Sequence, residues 1–202
     1  MNALLILLLT PFISGALLAL FGHTKRAAEL NAAGSLVTLL AAAPLVFEVV
    51  NDGPLLAFDQ LFFVDPLNVF LILLTAFVGF TTALFSRPYM RNEHAHGRLS
   101  SARLRLYHSM FQLFMGTMLV ALSTNNLGIL WVAMEAATLT TVLLVALYRT
   151  PASLEAAWKY FILCGVGIAQ ALFGTILIYF AAERVIGAEH GALLWTHLDS
   201  VK

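Results

Sequence analysis

Six stretches of this sequence run for about twenty residues with almost no charge, and no other feature restricts the fold as much. A helix rises about 1.5 Å per residue and the hydrocarbon core of a bilayer is about 30 Å thick, so such a stretch suits a single crossing. The stretches are residues 3–21, 30–49, 66–85, 106–122, 127–148, and a last helix over 151–182 whose apolar body is 160–182. Backbone groups inside lipid have no water to bond, which makes helix the expected state of each. Composition agrees: 60% of residues are hydrophobic and 11% are charged, where a soluble domain carries roughly 25% charged residues. The expected fold class is all-α, a polytopic integral membrane helix bundle. The first stretch lacks the cationic start and small-residue cleavage site of a signal peptide and is expected to be retained. Pro11 and Pro44 fall inside the first two stretches, where neighbouring helices can re-satisfy the freed carbonyls.

Charge sets the expected orientation. Lys25, Arg26, Arg87, Arg91, Arg98, Arg103, Arg105, Arg149 and Lys159 share one side of the alternating spans, and Arg184 and Lys202 fall on the other. The positive-inside rule places the first group in the cytoplasm and both termini on the outer, periplasmic side. Glu48, Asp52, Asp59 and Asp65 in the second connection, with no Lys or Arg between them, agree with this. Zero formal net charge gives no basic excess for nucleic acid, and the third connection's arginines are accounted for by topology and lipid headgroups. The single cysteine, Cys164, allows neither an internal disulfide nor a thiolate cage for zinc or an iron–sulfur cluster, so no cofactor is expected in this chain. With no Gly-rich phosphate loop and no hydrolytic triad, no catalytic centre is expected either. Residues 1–202 read as a single transmembrane domain: 1–105 with three leading helices and a basic connection, 106–182 with three more, and a polar tail over 183–202 too short to cross again.

One residue sits awkwardly in this pattern. In "NLGILWVAMEAATLTTVLLVALY", Glu135 lies eight residues past Leu127, about 12 Å into the helix and too deep for its short side chain to reach water comfortably. A charge at mid-span costs about 2.5 to 3.5 kcal/mol, so the carboxyl is expected to find a polar partner or to take up a proton. Two readings stay open, a proton carrier and a neutral, hydrogen-bonded Glu that locks two helices together. Trp131 and Thr138 are expected on its face, and Ala133, Ala136 and Ala137 would let a neighbouring helix come close.

Around it stand weaker signals. Glu155 and Lys159 form an i, i+4 pair after Thr150 as N-cap and Pro151 at the first helical position; this reads either as an interfacial ion pair or as the start of a charged path inward. "EHAH", Glu93 to His96, offers ligand atoms but reads as a loop with no further ligand nearby. His108, near the basic mouth of the fourth span, reads as a capped or interfacial histidine, with proton relay as the alternative. Ser123, Asn125 and Asn126 read as the tight outer turn between the fourth and fifth spans.

The segment from Tyr107 to Gly167, with "NNLGILWVAMEAATLTTVLLV" and "TPASLEAAWKYFILC" as its most specific parts, resembles the antiporter-like proton-translocating subunits of respiratory complex I, Mrp-type antiporters and group 4 hydrogenases. The nearest likeness is to the hydrogenase-4 component F branch, and "FFVDPLNVFL" extends it more loosely toward the N-terminus. The resemblance implies that Glu135 is the fifth-span glutamate of a proton path and that Lys159 matches the lysine of the family's "EAxxKYF" segment, so that Glu135 and Lys159 are the expected proton-translocating residues; from their positions in the sequence, Glu155, His108 and Thr138 are read as accessory candidates. It implies other membrane-arm subunits and a peripheral redox arm as partners, and a bacterial or archaeal plasma membrane as location. Family members have about fourteen spans in inverted repeats. Residues 106–182 would be the first half of one repeat, and the seventh-helix lysine that pairs with the glutamate is not in this sequence. The chain therefore reads as the N-terminal portion of such a subunit. A non-transporting membrane scaffold and a sodium- or inorganic-carbon-coupled relative are the alternative readings.

Overall fold

The computed structural model describes residues 2–22, 24, 26–186 and 191–199. Lys25 and Lys202, counted in the charge distribution, lie outside the described residues. The chain forms α1 (Asn2–Phe21), α2 (Ala27–Asp52), β1 (Leu55–Ala57), β2 (Phe62–Val64), α3 (Pro66–Ala95), α4 (Ser101–Ser123), α5 (Leu127–Val145), α6 (Pro151–Ile186) and α7 (Trp195–Leu198). The first six helices are each long and apolar enough to cross a membrane. The starts of α3 and α5 carry side-chain caps. Asp65 Oδ1 accepts from the Asn68 amide at 2.7 Å with Pro66 opening α3, and Asn126 Oδ1 accepts from the amides of Gly128 and Ile129, satisfying donors that a helix start leaves free.

α1 to α4 make a four-helix bundle in which α1 lies against α2 and α4, and α3 bridges α2 and α4; α5 packs on α4, and α6 on α5. Two glycines set how closely these helices approach. A Cβ on Gly34 would fall 2.5 Å from Ser14 Oγ, and one on Gly79 would meet Met115 Sδ at 2.7 Å. At one end the bundle is closed by a dry cluster that includes Leu4, Leu7, Leu45, Val64, Ile72 and Leu119, all fully buried. The opposite end carries Arg26, Arg87, Arg91, Arg98, Arg103 and Arg105. α6 stands at the flank: none of its most apolar window is buried, and Leu163 and Phe173 are exposed.

Several boundaries differ from the sequence reading. α3 runs ten residues past Phe85, so Glu93 and His94 are helical and His96 caps the helix; the loop reading of "EHAH" is corrected. Apolarity marks only the lipid-crossing part of a helix, and this one continues into its polar end. α4 likewise begins at Ser101 rather than Leu106, which makes Arg103 and Arg105 helical and shrinks the basic connection to a few residues. α5 ends at Val145, where the chain turns through Tyr148 and a left-handed Arg149 (φ 51°).

Two further elements escaped the all-helical pattern. β1 and β2 pair antiparallel with Leu55 opposite Val64 and Ala57 opposite Phe62, across a turn whose residues Phe58, Asp59 and Gln60 all have positive φ. The tail does not simply leave the bundle. α6 continues to Ile186, and past the undescribed residues Leu194 forms a β-bridge with Asn126 while Trp195 N donates to Asn125 O at 2.8 Å. Asn125, 1% exposed, joins hairpin and tail: its Nδ2 donates to Gln60 O and Thr196 Oγ1, both at 2.9 Å, and its Oδ1 accepts from Thr196 N.

Candidate functional site

The Asn126 cap fixes the start of α5 and so the depth of Glu135, eight residues on, about 12 Å along a helix of about 28 Å. Glu135 is half-buried, and among the described residues its carboxylate makes no hydrogen bond or ion pair. Its neighbours divide their attention. Trp131 Nε1 donates to Ile168 O at 2.8 Å and ties α5 to α6. Thr138 is buried, and its hydroxyl donates to the Met134 carbonyl at 3.1 Å. Ala133 and Ala137 are buried, as small residues on a packed face should be, whereas Ala136 is half-buried.

On α6, Thr150 caps the first turn, its Oγ1 accepting from Ser153 N at 3.1 Å. Glu155 and Lys159 are brought together as an ion pair, with side chains 65% and 70% exposed. Exposure of that order in this chain sets Lys159 apart from Glu135, which the structure leaves without a described partner.

His108 belongs to a different group, and the capped reading of it is corrected. It lies inside the α1–α4 bundle, 1% exposed, and neither ring nitrogen has a hydrogen-bond partner. It lines a cavity of about 430 Å³ with Thr24, Ala28, Arg91 and His94. One turn further along α4, Gln112 is equally buried and its Nε2 donates toward Asn31 Oδ1 and Ser35 Oγ, both at 2.9 Å. At the rim Glu29 pairs with Arg91 and, at 3.5 Å, with Arg87. The sequence reading missed Glu29, Asn31, Ser35 and Gln112 as a set because the pairs are up to 81 residues apart. A signal was present: Asn31, Ser35 and Thr38 on α2, and His108 and Gln112 on α4, follow helical spacing and stack on one face of otherwise apolar segments.

The two histidines of "EHAH", the helical His94 and the cap His96, are engaged locally. His94 Nδ1 meets Leu99 O and His96 Nδ1 meets Asn92 O, both at 2.8 Å. Glu93 is buried, paired with Arg98 at 2.9 Å and accepting from the Tyr148 hydroxyl at 3.1 Å, which joins the ends of α3 and α5. Burial raises the Tyr148 phenol above its ordinary pKa, as do its hydrogen bonds with Tyr89 and Glu93.

The family model described as NADH:quinone oxidoreductase/Mrp antiporter, transmembrane, matches residues 124–187, which hold Glu135, Glu155 and Lys159. A hydrogenase-4 component F homolog of Methylacidiphilum infernorum (isolate V4) is 48% identical over 193 residues, 96% of this chain and 39% of its own length. NADH-quinone oxidoreductase subunit N of Herminiimonas arsenicoxydans is 33% identical over 148 residues, 72% of this chain and 29% of its own. Among solved structures, a chain of the membrane-bound sulfane sulfur reductase, an archaeal respiratory membrane complex, superposes with a TM-score of 0.75 at 22% identity, over 90% of this chain and 38% of that one, a likeness of fold. The chain thus spans about two-fifths or less of the length of each of these relatives.

Proposed function

This chain belongs to the family of antiporter-like membrane subunits, and from that premise we propose that it carries protons in the membrane arm of a hydrogenase or NADH-dehydrogenase-like complex. The observation that supports the reading most is Glu135: a carboxyl held at depth in α5 by a capped helix start, with no described partner to neutralise it. An ionisable side chain at this depth in a membrane span characteristically lines an ion or substrate pathway. Thr138, one turn on, and Trp131, which holds α6 alongside, position the segment. Lys159 and Glu155, on the open face of α6, act where that face meets another part of the assembly.

The driving energy comes from electron transfer in a peripheral redox arm, with other membrane-arm subunits as immediate neighbours and the plasma membrane of a bacterium or archaeon as the setting. The basic helix ends face the cytoplasm in this arrangement and both termini face outward. Replacing Glu135 by Gln in the complete complex and measuring proton uptake into vesicles tests the assignment. A loss of uptake with unchanged complex yield is expected. Undiminished uptake with a lowered thermal stability would instead identify Glu135 as a packing residue of a scaffold.

A further inference from the structure

Among the described residues, the buried side-chain atoms that lack a hydrogen-bond partner are Glu29 Oε2, Asn31 Nδ2, Arg87 Nε and both nitrogens of His108. They share one place. Glu29 bonds Arg87 directly, His108 lies close enough to Glu29 to feel its charge, and Asn31 is bonded to Gln112, one helical turn from His108. Orphaned polar atoms inside a protein are costly, about 1 to 3 kcal/mol each, and so a cluster of them marks the position of something that pairs with them.

What pairs with them follows from their donor and acceptor character. A neutral imidazole presents one N–H and one lone pair; Glu29 Oε2 seeks a donor, and Arg87 Nε and Asn31 Nδ2 seek acceptors. An anion would satisfy only the donors and a metal cation only the acceptors. Water satisfies both. The cavity that His108 lines, about 430 Å³, has room for on the order of ten waters at about 30 Å³ each. Its rim at the basic end carries Arg91 and His94 from α3 and Thr24 from the connection before α2, and Glu29 of α2 stands beside it paired with Arg91. Inward of His108, and outside the cavity's lining, Gln112, Asn31 and Ser35 are hydrogen-bonded to one another, and beyond them lies the dry cluster around Leu4, Leu7 and Leu45. The chamber is therefore open toward one side and sealed toward the other.

We propose that this is a hydrated chamber that takes protons from the basic end, with His108 as the group that binds and releases them. A hydrated proton transfers to the imidazole lone pair, leaving water and an imidazolium; either ring nitrogen then returns the proton to a neighbouring water. The charged and titratable groups around His108 among the described residues are Glu29 from α2, Arg91 and His94 from α3, and Tyr107 beside it on α4, with Arg87 of α3 joined to Glu29. The chamber's hydration stands on geometry alone, while its use in loading protons rests on the proton-carrying reading above.

The test has two arms, both in the complete membrane complex. In a Cys164→Ser background, His108→Cys is exposed to a small water-soluble methanethiosulfonate beside Leu7→Cys, from the dry cluster, and labelling of this chain is followed by mass spectrometry. Labelling at His108 at least about tenfold faster is expected of a wet site; equal rates would overturn the chamber. In the second arm, proton uptake is measured at fixed electron-transfer rate in His108→Ala and His108→Gln. Uptake slowed by about tenfold or more is expected in both, restored by added imidazole in the Ala variant, where the cavity admits it, and not in the Gln variant, which keeps the side chain's bulk without its titration. Uptake unchanged in both variants, while Glu135→Gln abolishes it, would overturn proton loading at His108 and leave the Glu135 assignment intact. Loss in the His108 variants with Glu135→Gln unaffected would do the reverse.

Discussion

Gln112→Leu is the perturbation whose effect the structure specifies most closely. Gln112 Nε2 has two hydrogens for three acceptors, Asn31 O at 3.0 Å and Asn31 Oδ1 and Ser35 Oγ at 2.9 Å, with Gln112 1% and Asn31 0% exposed. Leucine keeps the bulk and removes both donors. Two interhelical hydrogen bonds at about 0.6 kcal/mol each, the average inside membranes, give a loss of about 1 kcal/mol. Asn31 O keeps the Ser35 hydroxyl as a donor at 3.0 Å, but Asn31 Oδ1 is left with none, which adds about 1 kcal/mol at the lower end of the penalty for an orphaned polar atom. The sum is about 2 kcal/mol. Asn31→Leu should cost a similar amount, but the double variant removes both ends of the pair and should be less destabilised than the two single effects added together, by about 1 kcal/mol. Equilibrium unfolding in a graded SDS titration of the detergent-extracted chain measures all four corners of the cycle. Strict additivity, or a Gln112→Leu effect within about 0.3 kcal/mol of zero, would refute the coupling of α2 to α4 through this network.

Other consequences follow from the packing. Gly79→Val places a branched side chain where Met115 Sδ lies 2.7 Å from a single Cβ, so thermal stability should drop by an amount typical of overpacking, about 1 to 3 kcal/mol, and recover partly when Met115→Ala is added. Asn125→Ala unties the hairpin turn and the tail together, and amide hydrogen exchange at Thr196, whose N–H bonds Asn125 Oδ1 at 3.2 Å, should accelerate while that of the α1–α4 core stays unchanged. Trp131→Phe keeps an aromatic side chain but removes the indole N–H and its 2.8 Å bond to Ile168 O, and should loosen α6 by about 1 kcal/mol, read as faster proteolysis in the α5–α6 connection at undiminished overall Tm.

The sequence alone determined the six membrane-length helices. Apolar runs long enough for a bilayer admit no other backbone state, because every amide in lipid has to bond within its own segment. Glu135 was visible for the same reason: a carboxyl inside such a run is an exception that needs no tertiary information to notice. The sequence was less able to fix where each helix stops, since α3 and α4 continue as polar helix beyond the apolar window, and capping by His96 and Ser100, not hydropathy, ends them. Asn125 looked like one more turn residue until the hairpin, the α4–α5 turn and the tail met around its amide. The pairing of Gln112 with Asn31, and the unpartnered His108 beside them, belong wholly to the tertiary structure. A polar residue in an apolar segment announces that it needs a partner; which residue answers depends on how α2, α3 and α4 are packed, and that is decided by the close contact of Gly34 with Ser14 and of Gly79 with Met115, between residues far apart in the chain.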